Sequence, residues 1–361
     1  MKRSKYSGPL LLCLVLVVAL LQAVIEANAS APADEPTIDK TSVQVTTQEH
    51  RGNEELALWR WTPRIEFRVN GPIAPGSQLQ AEFFLPGGKS WMKLDCSTGE
   101  VGAGESWQVG NPPCGNNLPE SQAITYTGPM DFKIYIKNEL QGTAKTLFAG
   151  KMTVKKVHVT NDLPVNKNNF DYFIDHDWNL PIGYVYAAES SDSSYTDFAP
   201  LAVSMWFRGE TEKVAAYLFY KGQEISNTAT STKGTSNQEV DNPTYEDSPF
   251  VWRRIRFTFF NVAAFNREDP DNHPDAFRID KNPGEYVVKV LRGGKLVRTA
   301  TSSVGADGKI VDNGIARNNS LGTNRIVMPV QVIGSEGPDH DPNSWKTGAF
   351  YSNPLSGFSV Q

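Results

Sequence analysis

Met130-Asp131-Phe132-Lys133-Ile134-Tyr135-Ile136-Lys137-Asn138 sets Phe132, Ile134 and Ile136 on one side of an extended chain and Asp131, Lys133 and Lys137 on the other. A period of two is that of a strand with one face in a core and one in water. The plan returns at Gly284-Glu285-Tyr286-Val287-Val288-Lys289-Val290-Leu291-Arg292, where Tyr286, Val288 and Val290 take the places of Phe132, Ile134 and Ile136. Both runs reach a turn and then a second strand. In the later copy Gly293-Gly294 suits a two-residue hairpin, and Lys295 to Ala300 returns. Upstream, Pro63 to Leu85 resembles Pro200 to Tyr220, each a strand, a polar turn and a strand ending in aromatics. We read these echoes as duplication of one sandwich unit. The competing reading is coincidence between two generic hairpins.

Outward from these runs alternation continues. Ile65 to Val69, Leu79 to Phe83, Trp91 to Leu94 and Leu147 to Val154 all read as strands, punctuated by Asn70-Gly71-Pro72 and Pro86-Gly87-Gly88. No stretch of helical length keeps a 3.6-residue period, so the chain is expected to be all-β with little helix. The expected organisation is a signal peptide over 1–29, a tether over 30–44 and a sandwich over 45–157. A linker over 158–169 then leads to a second sandwich over 170–333, and a polar tail fills 334–361. Within the second unit Ile182 to Ala187 is the expected first strand. Residues 226–242, dominated by Ser, Thr and Asn with almost nothing apolar, read as an inserted exposed loop. Pro329 inside Ile326 to Val332 points to an edge or a bulge.

The start of the chain gives the compartment. Lys2, Arg3 and Lys5 precede an apolar run from Leu10 to Leu21, and Ala27-Asn28-Ala29 offers a cleavage site, so export with processing after Ala29 is expected. A retained anchor is the alternative, since the run lies near the length needed to cross a bilayer. The destination is periplasmic, cell-surface or extracellular, with no transmembrane helix after cleavage. The formal net charge is −5, which supplies no basic surface for nucleic acid. Cys96 and Cys114 are the cysteines beyond the signal, and a pair in an exported chain reads as a disulfide. Two free thiols, or a share in a metal site, are the alternatives.

Pro283 to Val290 with the Gly293-Gly294 turn resembles the last hairpin of bacterial immunoglobulin-like and fibronectin-III-like domains, which carry a Gly-x-Tyr-x-Val pattern there. The resemblance implies tandem Greek-key sandwiches of about seven strands each. It implies no activity.

The chemistry-bearing residues are sparse. His176 lies in Asp175-His176-Asp177, a tripeptide repeated at Asp339-His340-Asp341, and His273 lies among Asp269, Asp271 and Asp275. Carboxylates and imidazoles so grouped suit a divalent cation if the fold brings two groups together, whereas solvated turns are the plainer reading. Asp307-Gly308-Lys309 and Asp312-Asn313-Gly314 lack the twelfth-position glutamate of a calcium loop and read as tight turns. There is no Gly-x-Ser-x-Gly elbow and no His-Glu-x-x-His run. Trp206 and Trp252 fall inside alternating strands and are expected in the core. Trp107 and Trp345, in Gly-rich or polar surroundings, are the candidates for stacking on sugar rings.

The expected function is a non-enzymatic exported binding or structural surface protein, with an unidentified protein or glycan partner and no cofactor. A carbohydrate-binding module and an exported hydrolase on a β-scaffold are the alternatives.

Overall fold

The computed structural model describes residues 35–50, 58–97, 99–100, 106–158, 169–188, 198–242, 249–266 and 276–360. The expected signal peptide, most of the expected linker and the Asp269, Asp271, His273 and Asp275 cluster lie outside the described residues. So does the side chain of Trp107.

Alternation becomes strand throughout. The first half contains β1 (Thr37–His50), β2 (Arg60–Asn70), β3 (Ser77–Leu85), β4 (Lys89–Cys96), β5 (Gly99–Glu100), β6 (Ser106–Cys114), β7 (Gly128–Asn138), β8 (Thr143–His158) and β9 (Phe170–Ile174). One sheet runs β1-β2-β6-β5 and the other β4-β3-β7-β8-β9. On β7 the residues Met130, Phe132, Ile134 and Ile136 are buried while Asp131, Lys133 and Lys137 are exposed, as the period of two requires. Phe67, Val69, Phe83 and Ile134 meet in the core between the two sheets.

The second half contains β10 (Ile182–Ala187), β11 (Phe198–Arg208), β12 (Val214–Tyr220), β13 (Gln223–Asn227), β14 (Gly234–Asn242), β15 (Trp252–Asn266), β16 (Phe277–Arg278), β17 (Gly284–Arg292), β18 (Lys295–Val304) and β19 (Ile326–Val332). Here the sheet is continuous, in the order β13-β12-β17-β18-β19-β10-β11-β15-β14, with β16 alongside β15. The stretch β10-β11-β15-β14 repeats the strand order of β1-β2-β6-β5, and β13-β12-β17-β18-β19 repeats that of β4-β3-β7-β8-β9. Tyr286, Val288 and Val290 are buried like their counterparts on β7.

β19 makes the second sheet continuous. Its first residues pair with β10, from Ile326 against Val185 to Pro329 against Ile182, and its last pair with β18, from Val330 against Ala300 to Val332 against Arg298. Pro329 sits at the changeover between the two pairings, inside the sheet and not at its edge. β9, in the same rank in the first half, pairs with β8 alone among the described residues. It reaches β1 through a side chain, the Thr47 hydroxyl donating to the Tyr172 carbonyl at 2.5 Å.

Helix is scarce, as expected: the α-helices described are α1 (Ile315–Asn318) and α2 (Trp345–Ser352). Four boundaries differ from the sequence reading. Residues 37–44 are the first part of β1 rather than tether, because Ile38, Val43 and Val45 enter the core. Residues 170–174 belong to the sheet of the first half, since Tyr172 and Ile174 are buried in its core. The expected loop over 226–242 is largely strand. There Ser226 and Asn227 are buried, and the hydroxyls of Thr228 and Ser236 bond at 2.8 Å, so polar pairs take the place of alternation. The expected tail is packed, with Phe350 and Tyr351 in the core of the first half.

Candidate functional site

The chain leaves β9 at Ile174 and enters Asp175-His176-Asp177 at the junction between the halves. Asp175 takes the Lys155 ammonium at 2.7 Å and accepts the Asp177 N–H at 3.1 Å. The Asp177 carboxylate accepts from Arg208 Nη1 at 3.2 Å, Trp252 Nε1 at 3.0 Å and the Asp341 N–H at 3.1 Å. The Arg208 and Asp177 side chains are 2% and 1% exposed. Burial and the neighbouring Asp175 push the Asp177 carboxyl above its ordinary range, against the pull of Arg208.

His176 is wholly enclosed. Its Nε2 lies 3.1 Å from the Val45 carbonyl, which can only accept, so Nε2 carries the proton. Nδ1 is buried without a partner. The rings of Trp252, Tyr351 and Trp178 surround the imidazole at 5.6, 5.9 and 6.2 Å. Burial lowers its pKa to about 4, although the Val45 bond and Asp175 oppose the shift.

The residues after β19 cross this junction as a strap. Glu336 accepts from Arg298 Nη1 at 2.7 Å, Arg292 Nη2 at 3.2 Å and the Arg208 N–H at 3.0 Å. Burial pushes its carboxyl up, but Arg298 and Arg292 outweigh this and hold it below the usual range. The N–H of Asp341 then meets Asp177, so the two Asp-His-Asp tripeptides do come together. They are joined by a carboxylate and a main-chain amide. Among the described residues no three His, Cys, Asp or Glu side chains gather as a cation site.

Beyond a helical turn starting at Trp345, the strap passes through left-handed backbone at Phe350, Tyr351 and Ser352, with φ of 42°, 57° and 66°. Such a run is unfavourable for residues with a Cβ and persists only where surrounding contacts hold it. Tyr351 supplies those contacts. Its ring stands edge-on to Phe132 and to Trp178, both at 5.1 Å, and its hydroxyl accepts the Val45 N–H at 2.8 Å. Gly150 makes room for it: a Cβ there would lie 2.9 Å from Tyr351 Cβ. Asn353 Nδ2 donates to the Ala149 carbonyl at 3.1 Å, and Ser356 exchanges bonds of 2.7 and 3.0 Å with the Asn319 side chain.

A second buried knot lies where β1 meets β10, β11, β14 and β15. Glu239 accepts from Arg254 Nε at 3.0 Å, Arg325 Nη2 at 2.6 Å and the Ser204 hydroxyl at 2.9 Å. Arg254 Nη1 continues to the Thr41 carbonyl of β1 at 3.4 Å. Burial raises the Glu239 carboxyl, but the two guanidinium groups hold it down at about 2. Sequence reasoning missed this knot. Its members are far apart in sequence, on β11, β14, β15 and just before β19, and a lone Glu in a Ser/Thr/Asn run carries no signal of a partner.

Cys96 and Cys114 are bonded. They join β4 to β6, so the bridge ties the two sheets of the first half together. Trp206 and Trp252 are buried, in a small cluster with Phe173, Leu180 and Phe250 at the junction instead of the main core of the second half. Trp345 is half-buried and packs edge-on against Phe358 at 5.4 Å.

No family model matches the chain, and no curated protein matches it. Among solved structures it is similar to a biofilm associated protein, BSP domain, at 8% identity and a TM-score of 0.16, over 86% of this chain and 66% of that one. Among the described residues no helix is long and apolar enough to cross a membrane.

Proposed function

We propose that the chain is an exported, non-enzymatic surface protein, a structural or binding body built from two tandem immunoglobulin-like units. The recurring strand order supports the tandem reading, and the basic, apolar and small-residue sequence of residues 1–29 supports export and cleavage after Ala29. The observation that carries the functional reading is the use made of the charged residues at the junction. Asp177, Arg208, Arg298 and Glu336 have side chains no more than 2% exposed, each bonded to another of the set, so they fasten the junction segment and the strap to the second half and face no solute. A protein or glycan partner then engages the outer sheet faces. Flat stacking of sugar on Trp345 is the weaker form, because Phe358 already occupies an edge-on place beside that ring.

The test is binding of the purified mature protein to intact cells of the native host, with the same protein assayed on ester, glycoside and peptide substrates. Saturable binding without turnover is expected. Turnover that disappears in Asp177→Asn or His176→Gln variants of unchanged fold would replace this reading with the hydrolase.

A further inference from the structure

Val45 lies on the outer edge of β1, with its N–H and C=O directed away from β2. In the second half, the equivalent position beside β10 is filled by a strand, β19. In the first half two side chains stand in: the Tyr351 hydroxyl takes the Val45 N–H, and His176 Nε2 donates to the Val45 carbonyl. The strap and the imidazole therefore share one task, to satisfy an otherwise open strand edge in a dry place.

We propose that residues 336–358 form an acid-released strap, and that protonation of His176 at Nδ1 is the event that frees it from β1. The geometry gives the reason. A proton on Nδ1 would point an N–H donor, and a full charge, into a site walled by Trp178, Trp252 and Tyr351 with no acceptor in reach. An enclosed cation without a partner is among the costliest arrangements in a protein. Moving the strap away brings water to the imidazole and removes that cost.

The charged groups around His176 do not cancel the effect. On its own segment Asp175 favours the imidazolium but is engaged by Lys155 of β8, and Asp177 is engaged by Arg208 of β11. β1 contributes the Val45 carbonyl, which Nε2 already uses, and β15 contributes the uncharged Trp252. The strap contributes Tyr351, whose phenol burial pushes far up, so it stays neutral. Asp177 acts in the opposite sense. Its carboxyl is raised, so the closed form takes up that proton more readily than the open form and gains from acid. His340, farther along the strap, accepts the Glu336 N–H through Nδ1 at 3.3 Å and is the second imidazole to be controlled for.

The His176 pKa of about 4 in the closed form, against about 6.5 in water, fixes the window. The strap is fully held above pH 6.5 and loosens as pH falls towards 4, by roughly two orders of magnitude in the opening equilibrium.

The test is amide hydrogen exchange of the full mature protein at several pH values, read as protection factors so that the intrinsic rate is removed. The expected result is a ~100-fold loss of protection over residues 345–353 between pH 7 and pH 4 while β7 and β17 stay protected. In His176→Gln the loss is absent, and in His340→Gln it is unchanged. Loss in step across the whole chain, or the same loss in wild type and His176→Gln, overturns the proposal, as does a shift of the midpoint in His340→Gln. If His176→Gln does not fold, the imidazole resonance of wild-type His176 decides. Titration at the pH where the strap opens supports the trigger, and titration at a different pH overturns it.

Discussion

In the second half β19 bonds to β10 with its first residues and to β18 with its last, so the sheet continues through main-chain ladders. In the first half β9 bonds to β8, and the edge of β1 is completed by side chains of Tyr351 and His176. The two halves share a strand order and differ at this closure. A ladder has no titratable atom and is made by residues close in sequence to the strands it joins. A side-chain closure depends on an imidazole and on a ring drawn from the far end of the chain. It follows that the second half can close on its own strands while the first waits for the C-terminus, and that acid acts on one closure and not the other.

The comparison breaks most visibly on truncation. Ending the chain at Ser335 takes Phe350 and Tyr351 out of the core of the first half, with an expected loss there of at least about 4 kcal/mol, and takes Glu336 from Arg298 and Arg292 of the second half, with an expected loss there of about 3–5 kcal/mol. Thermal unfolding should change from one transition to two. A single transition after truncation would show that the strap is not what couples the halves.

The two buried knots sharpen the point. Asp177→Asn and Glu239→Gln each leave guanidinium groups short of a partner, and each is expected to cost about 3–5 kcal/mol at pH 7. Their pH dependence differs. Glu239 is held at about 2, so its contribution is complete above its ordinary carboxylate range and is lost only as pH falls from there through 2. The Asp177 carboxyl is raised, so the folded protein binds that proton more tightly than the unfolded chain, wild type gains stability on acidification, and the deficit of Asp177→Asn grows as the pH falls from 7. Urea melts of both variants at pH 7 and pH 5 check this. Equal deficits at both pH values for both variants would remove the distinction between the knots.

Replacing Cys96 and Cys114 with serine should lower the stability of the first half by about 3 kcal/mol, from the lost constraint on a loop of sequence separation 18. With the strap in place the effect reaches the shared transition. In the truncated chain it is confined to the first half, and calorimetry of the four combinations separates the two cases.

The smallest expected effect is that of Gly150→Ala, at about 1–2 kcal/mol. The new Cβ would press on Tyr351 Cβ and on the rings of Phe148 and Phe132. Gly87→Ala, at a positive φ of 82° but in open space, tests whether close approach rather than backbone freedom is at stake. Only Gly150→Ala should speed exchange at the amides of residues 349–353.

Much of the fold was legible. The alternation of Phe132, Ile134 and Ile136, and of Tyr286, Val288 and Val290, is a local property, and it places those residues inside without knowledge of any partner. The cysteine pair was legible for the same kind of reason, since compartment and count left few uses for two cysteines. Residues 334–361 were misread because Phe350 and Tyr351 are isolated in polar sequence, and their burial depends on a socket made by β1, β7 and β8. Residues 226–242 show no apolar period to read, because the Thr228 and Ser236 hydroxyls bond each other and the Ser226 hydroxyl donates to the Lys233 carbonyl.

By itself the sequence determined the alternating strands, their inward faces and the covalent bridge, since each follows from residues within one short window. Which strands share a sheet, how each half is closed and what the charged residues are for were decided by tertiary structure alone. Asp177 meets Arg208 and the Asp341 amide, and Glu239 meets Arg254 and Arg325, across separations that no local pattern encodes. A buried charge is tolerated only when its partner is already in place, so the meaning of these residues exists only once the chain has folded around them.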